Sequence, residues 1–340
     1  MPRLADLLSL CKPRIVALLS LTGASALFAA GGAPLLQVGA FLLAGAAIAA
    51  GSAALNCYYD RDLDTRMERT ADRPLPAGRL DPGIALLLAA LALAFGTAVG
   101  LSALPPVSVA YMWLGALAYV GLYTVGLKRR HPIGVVLGGS AGSFPVLAGW
   151  SVVEPVGPAA LLMAALVFAW TPAHAWALAH AYREDFAAAG VATLPAVAST
   201  ERVQRAVWWA ALVTVALAAL LVPLAGAAYA GVVVAGSACF LLAYRTYARA
   251  GTDAAAVRAF FTSNLYLAVL FLGWAIDGGI GVPAWGALPA AAVTAYAFHR
   301  LWAARPSLGG VEAATWRERG PTVERVRGNA ETGGAPTDDS

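Results

Sequence analysis

The chain has 340 residues, of which 60% are hydrophobic and only 12% charged, and its mean hydropathy is +0.69. A soluble domain carries roughly twice that share of charge, so a soluble globular protein is excluded. The net charge of +4 comes from basic residues beside apolar runs, which points to membrane anchoring and away from nucleic-acid binding.

Apolar runs of roughly 20 residues recur from Arg14 to Trp302 and predict transmembrane helices. They lack the polar–apolar alternation of a barrel, and only helices or barrels can span a bilayer. Ten spans are expected, near residues 14–31, 36–56, 84–104, 107–127, 133–153, 158–181, 206–227, 229–246, 259–277 and 285–303. The fold class is all-α, a polytopic transmembrane helical bundle, with residues 1–304 as one membrane domain. Residues 305–340 are rich in Gly, Pro, Glu, Arg and Thr and are expected to be a disordered cytoplasmic tail. All 23 Lys and Arg residues lie before the first span or follow or close even-numbered ones. The positive-inside rule makes that side cytoplasmic, and an even span count puts both termini there. The first span reads as a retained helix and not a cleaved leader. With no Arg/Ser-rich transit segment, a prokaryotic plasma membrane is the expected location. Cys11, Cys57 and Cys239 lack metal-ligand spacing, and no disulfide is expected.

The motifs follow in chain order. Lys12 and Arg14 stand before and at the start of the first span and read as anchors. Asn56, Asp60 and Asp64 end the second span at i, i+4 and i+8, so they stack on one helix face. Two carboxylates and an amide at a membrane surface are costly without a cationic partner. Oxygen ligands of this kind suit Mg²⁺ bound to a phosphate. Asp62 points elsewhere and is expected to pair with Arg66, and Arg73-Pro74-Leu75-Pro76 reads as a rigid extended break. Lys128, Arg129 and Arg130 follow the fourth span, either gripping a diphosphate or anchoring the helix. Gly134, Gly138, Gly139 and Gly142 in the fifth span predict close helix packing. His174 lies about two turns inside the sixth span, a depth at which an ionisable residue is a site candidate. Asp185 follows eleven residues later, which on a continuous helix is the same face.

The stretch from Asn56 to Arg79, NCYYDRDLDTRMERTADRPLPAGR, resembles the first signature of the UbiA-type membrane prenyltransferases. It is most similar to their protoheme IX farnesyltransferase (heme O synthase) branch, with its Asn-x-x-x-Asp-Arg-Asp-x-Asp and Arg-Thr-x-x-Arg-Pro-Leu-Pro. Lys12-Pro13-Arg14, Tyr123-Thr124, Gly138-Gly139-Ser140-Ala141-Gly142 and Trp170-Thr171-Pro172-x-His174-x-Trp176 also resemble that branch. The chain departs from it at Glu184-Asp185-Phe186, where Asp-Asp-Tyr is more common. The resemblance implies about nine core spans, the tenth being an extra C-terminal one. It implies farnesyl diphosphate and heme B as substrates, heme O as product, and Mg²⁺, or Mn²⁺, as metal. Asn56, Asp60, Asp64 and Asp185 would hold the metal, with Asp60, Asp64 and His174 as catalytic candidates. Asn56, Arg73, Lys128, Arg129 and Tyr182 would bind substrate. His174 could orient the acceptor, ligate heme iron or act as a base. Heme A synthase or terminal-oxidase assembly factors are further candidate partners beside the lipid bilayer. The alternatives are a family member using a quinone-precursor, chlorin or glycerophosphate acceptor, and a non-enzymatic transporter or scaffold. Surface-placed acids disfavour the transporter, whose polar groups belong at the midplane.

Overall fold

A computed structural model describes residues 3–308 and 311–312. A short α1 (Leu4–Leu10) precedes α2 (Pro13–Ala29), and Lys12 between them is left-handed at φ 48, ψ 59. The long α3 (Leu35–Asp64) ends in the acidic cluster, followed by the one-turn α4 (Glu68–Ala71) and by α5 (Pro82–Ala103). Next comes α6 (Pro106–Leu117), which continues without a break as a π-helix over Ala118–Leu127. The fifth expected span is split at Gly139 into α7 (Gly134–Gly138) and α8 (Ser140–Trp150). After α9 (Pro158–Ala181), a loop carries α10 (Arg183–Ala188) and α11 (Leu194–Val197). The bundle closes with α12 (Thr200–Leu221), α13 (Ala227–Ala250), α14 (Asp253–Ile280) and α15 (Ala287–Ala303).

Helix starts follow local chemistry. Pro13, Pro82, Pro106 and Pro158 open four helices, where the missing N–H costs nothing. Asp81 also caps α5 through its side chain, as Ser199 and Thr252 cap α12 and α14. Gly251, at φ 61, closes α13. Among the described residues, seven helices are long and apolar enough to cross a membrane, and Pro13–Ala29 and Gly134–Trp150 are shorter apolar ones. Those nine match the core expected from sequence. The tenth expected span, α15, lies outside that set and packs on α13.

One buried cluster fills the C-terminal half, around Phe240, Tyr244 and Tyr266, and a second fills the N-terminal half around Phe41, Ile48 and Met112. Large apolar side chains such as Leu35, Leu91, Val234 and Leu288 point outward, as lipid requires. Helices α2 and α8 meet closely. A Cβ on Gly149 of α8 would stand 1.9 Å from the Gly23 carbonyl oxygen of α2. The fifth-span glycines are packed as expected, Gly138 against Tyr123 and Gly139 against Thr171.

Both long loops are structured. Arg73–Pro76 is not the extended break expected. Residues 72–79 make successive turns, with the Ala77 N–H on the Arg73 carbonyl at 2.9 Å and the Arg79 N–H on that of Pro74 at 2.9 Å. Leu63, Met67, Ala189 and Val191 form a small apolar cluster joining the two loops. Of the expected tail, Ser307–Leu308 and Val311–Glu312 pair antiparallel, and residues 313–340 lie outside the described residues.

Candidate active site

The face expected from helical spacing is present and buried. Asn56, Asp60 and Asp64 are only 3%, 1% and 2% exposed, and each is met by hydrogen bonds or cations. The Asn56 amide donates to Asp60 Oδ2 at 2.7 Å and to Thr124 Oγ1 at 3.0 Å. Lys128 Nζ donates to the same Asp60 oxygen at 2.5 Å. One turn along α3, Arg73 donates to Asp64 Oδ2 at 2.7 Å. Asp60 Oδ1 is buried with no hydrogen-bond partner. A divalent cation fits there: an orphan carboxylate oxygen in a dry pocket is costly unless a ligand completes it. Burial holds the Lys128 ammonium below the ordinary lysine range even with Asp60 beside it.

Lys12 belongs to this cluster and is more than a topology anchor. Its ammonium donates to Asn56 Oδ1 and, at 3.0 Å, to the Tyr119 hydroxyl. The left-handed backbone at Lys12 turns the chain between α1 and α2, a conformation uncommon outside glycine and often found at functional sites. Tyr119 and Thr124 reach the same cluster from the π-helix. Five residues apart on an α-helix are about 140° apart around the axis. The wider π turn closes that gap, with Thr124 Oγ1 bonded to the Tyr119 carbonyl at 2.9 Å. The Lys128 N–H continues the same spacing, to the Tyr123 carbonyl at 2.8 Å.

An apolar cavity of about 250 Å³ opens beside this cluster, between α2, α3, α6 and α8. Lys12 and Tyr119 form its polar end, and Ile48, Met112 and Pro145 line its apolar length.

Three expected placements are corrected. Asp62 does not pair with Arg66; it holds Arg129 through two bonds of 2.8 and 2.6 Å. Arg129 is therefore on the outer side of α3, away from Asp60, and Asp62 raises its pKa. Asp185 does not continue the His174 face, because α9 ends at Tyr182 with φ −121, ψ 24. Its carboxylate instead accepts the Glu68 N–H at 2.8 Å and the Arg69 N–H at 3.3 Å, tying the second loop to the first. Nor do Asp60, Asp64 and Asp185 converge: among the described residues, no three His, Cys, Asp or Glu side chains are placed to hold one ion.

Asp185 and Tyr182 line a second, polar cavity of about 630 Å³, with Arg69, Arg183 and Asp253. Arg69 lies over the Tyr182 ring at 5.2 Å, and burial holds its pKa below the usual value, against the nearby Asp64 and Asp185 charges. It stands between the two acidic sites and was missed from sequence, where only the Arg69-Thr70-x-x-Arg73 spacing hints at it. His174 lies apart from both cavities, stacked between Trp170 and Phe260.

The sequence profile of the UbiA prenyltransferase family matches residues 17–265. The chain belongs to the UbiA prenyltransferase family. Among curated relatives, a protoheme IX farnesyltransferase of Frankia casuarinae is 42% identical over 283 residues, covering 79% of this chain and 96% of its own. One of Mycobacterium avium is 41% identical over 288 residues, covering 81% and 92%. Two solved structures share the fold. A digeranylgeranylglyceryl phosphate synthase superposes with a TM-score of 0.68 at 17% identity, over 82% of this chain and 99% of its own. A UbiA homolog from Archaeoglobus fulgidus, bound to GPP and Mg²⁺, superposes with a TM-score of 0.58 at 20% identity, over 79% and 99%. The buried Asn56–Asp60–Lys128 cluster lies at the loop end of α3 and is joined through Lys12 to an apolar slot.

Proposed function

We propose that this chain is a heme O synthase. It moves the farnesyl group of farnesyl diphosphate onto a vinyl group of protoheme IX, with addition of water. One observation carries the donor half. Asp60, buried with one unsatisfied oxygen, is paired with Lys128, Arg73 pairs with Asp64 one turn along, and Lys12, bonded to Asn56 beside Asp60, forms the polar end of an apolar cavity. A prenyl diphosphate has that same polarity, an anionic head on an apolar chain. The acceptor half rests on the relatives, which bear the protoheme IX farnesyltransferase name at about 40% identity over most of their length.

In the ligand-free state Lys128 and Arg73 neutralise Asp60 and Asp64. On arrival of substrate these cations turn to the diphosphate oxygens, Arg73 through its forked donors and Lys128 as a point charge. Mg²⁺, or Mn²⁺ in its place, would be held by Asp60, Asp64 and Asn56 and would stabilise charge growing on the departing diphosphate. Asp185 is held by the Glu68 and Arg69 amides and supports the loop that carries Arg69 and Arg73, with Tyr182 beneath Arg69. The allylic C–O bond breaks, its electron pair leaving with the diphosphate. The vinyl carbon then attacks the farnesyl cation, and water captures the new cation with loss of a proton. The apolar cavity walls keep water from the first cation. On this reading the site faces the cytoplasm from a prokaryotic plasma membrane, and the basic residues gathered on its side support that by the positive-inside rule.

The test is made on purified protein in detergent with Mg²⁺, farnesyl diphosphate and heme B, the extracted hemes being read by mass spectrometry. A farnesylated, hydrated heme that is absent from Asp60→Ala supports the reading. Consumption of farnesyl diphosphate with another acceptor but never with heme would overturn it.

A further inference from the structure

The apolar cavity beside Lys12 has a floor. Phe41, 3% exposed, springs from α3, and its ring crosses toward α2. A Cβ on Gly23 of α2 would stand 2.7 Å from the tip of that ring and 3.0 Å from the Pro145 carbonyl oxygen of α8. Three helices therefore converge on the ring, and a side chain at position 23 would push it aside. The α2 residues that line the cavity stop short of this point, at Ser20. Farther from Lys12 along their segments, Leu27, Val109 and Val152 belong to one buried cluster with Phe41. The space past the ring is packed.

The floor sets a length. From Lys12 to Gly23 is eleven residues, about 16 Å along α2, and from Ala53 to Phe41 is twelve, about 18 Å along α3. An extended chain advances about 1.2 Å per main-chain bond. A farnesyl chain, with twelve main-chain carbons, spans about 13 Å, and a geranylgeranyl chain, with sixteen, about 18 Å. The first leaves room for the oxygen that joins it to a diphosphate at Lys12. The second meets the Phe41 ring before its head group reaches Lys12.

We infer that Phe41, seated against Gly23, selects the length of the prenyl donor, admitting three isoprene units and turning away four. The inference rests on the donor half of the proposed function, a prenyl diphosphate with its head at Lys12. An apolar pocket can discriminate by about tenfold or more over a single methylene, and here a whole isoprene unit meets a packed ring. The slot is less closed on its side between α2 and α3, where Ile15 and Leu42 line it and are 53% and 37% exposed. A chain that left there into lipid would escape the ring, and donor length separates the two paths.

The experiment titrates the purified full chain in detergent, with Mg²⁺, against the thiolodiphosphate analogues of geranyl, farnesyl and geranylgeranyl diphosphate in a calorimeter. It reads the donor without any acceptor. Wild type should bind the farnesyl analogue about tenfold or more tighter than the geranylgeranyl one. Phe41→Ala removes six carbons, one more than an isoprene unit carries, and should erase or reverse that preference. Phe41→Leu, a milder change should the alanine variant not fold, should narrow it. Gly45→Leu puts a side chain into the slot one turn nearer Lys12 and should move the preference to the geranyl analogue. A cooperative unfolding transition shows that each variant is folded. Equal binding of the farnesyl and geranylgeranyl analogues by wild type, or a wild-type preference in the folded Phe41 variants, would overturn the inference while leaving heme O synthesis standing. If wild type binds none of the three, the donor assignment itself falls, and this inference with it.

Discussion

Replacing Lys128 by methionine keeps much of the stem volume and removes the charge that neutralises Asp60. Both partners are shielded, with side chains 13% and 1% exposed and 2.5 Å apart. Breaking a buried pair by deleting one partner typically costs about 3–5 kcal/mol, because the other charge is left buried. Asn56 still donates to Asp60, so the low end, about 3 kcal/mol, is expected. The ligand effects have opposite signs. Without Lys128 no side-chain cation is bonded to Asp60, so Mg²⁺ alone should protect the variant against thermal unfolding more than it protects wild type. The diphosphate loses a charge-assisted hydrogen bond, typically about 2 kcal/mol, which is about 30-fold in affinity. Unfolding midpoints in detergent across a Mg²⁺ series, and calorimetric titration with a farnesyl diphosphate analogue, measure the two effects. A variant that responds to Mg²⁺ as wild type does, and binds the analogue equally well, would refute the view of Lys128 as a cation shared between Asp60 and the diphosphate.

Arg129→Ala should leave heme O turnover within about twofold and cost under about 1 kcal/mol, the usual worth of an exposed pair, since Arg129 is held by Asp62 away from Asp60. A large loss of turnover would return Arg129 to the site. Asp185→Ala should free the Glu68 and Arg69 amides, costing about 1 kcal/mol as a lost helix cap does. Limited proteolysis should then cut faster between Thr65 and Arg79, and the KM for farnesyl diphosphate should rise more than kcat falls. Gly149→Ala forces a methyl group against the Gly23 carbonyl. Overpacking of this kind costs about 1–3 kcal/mol or more, and the detergent-solubilised protein should lose its sharp elution peak.

Legibility in the sequence followed the strength of local rules. The α3 carboxylates were legible because helical spacing is rigid and buried acids are rare. Apolar run length gave the spans for the same kind of reason. Arg129 was misplaced because adjacent helical residues point about 100° apart, so Lys128 and Arg129 serve different faces of α3. Asp185 was misplaced because an eleven-residue spacing means one face only if the helix continues, and it breaks at Tyr182. Lys12 was read as an anchor since a charge count cannot distinguish a solvated lysine from one folded back onto Asn56.

The π-helix over Ala118–Leu127 gives the site a backbone readout. A π turn is uncommon and hydrogen-bonds less well than an α turn, so this stretch depends on the side chains it delivers to Lys12, Asn56 and Asp60. A diphosphate gripped by Lys128, at the end of this stretch, and by Lys12, bonded to Tyr119 near its start, would hold it at both ends. Amide exchange from Ala118 to Lys128 should therefore slow when a diphosphate binds, and occupancy of the pocket can be followed through the main chain, without a label or turnover.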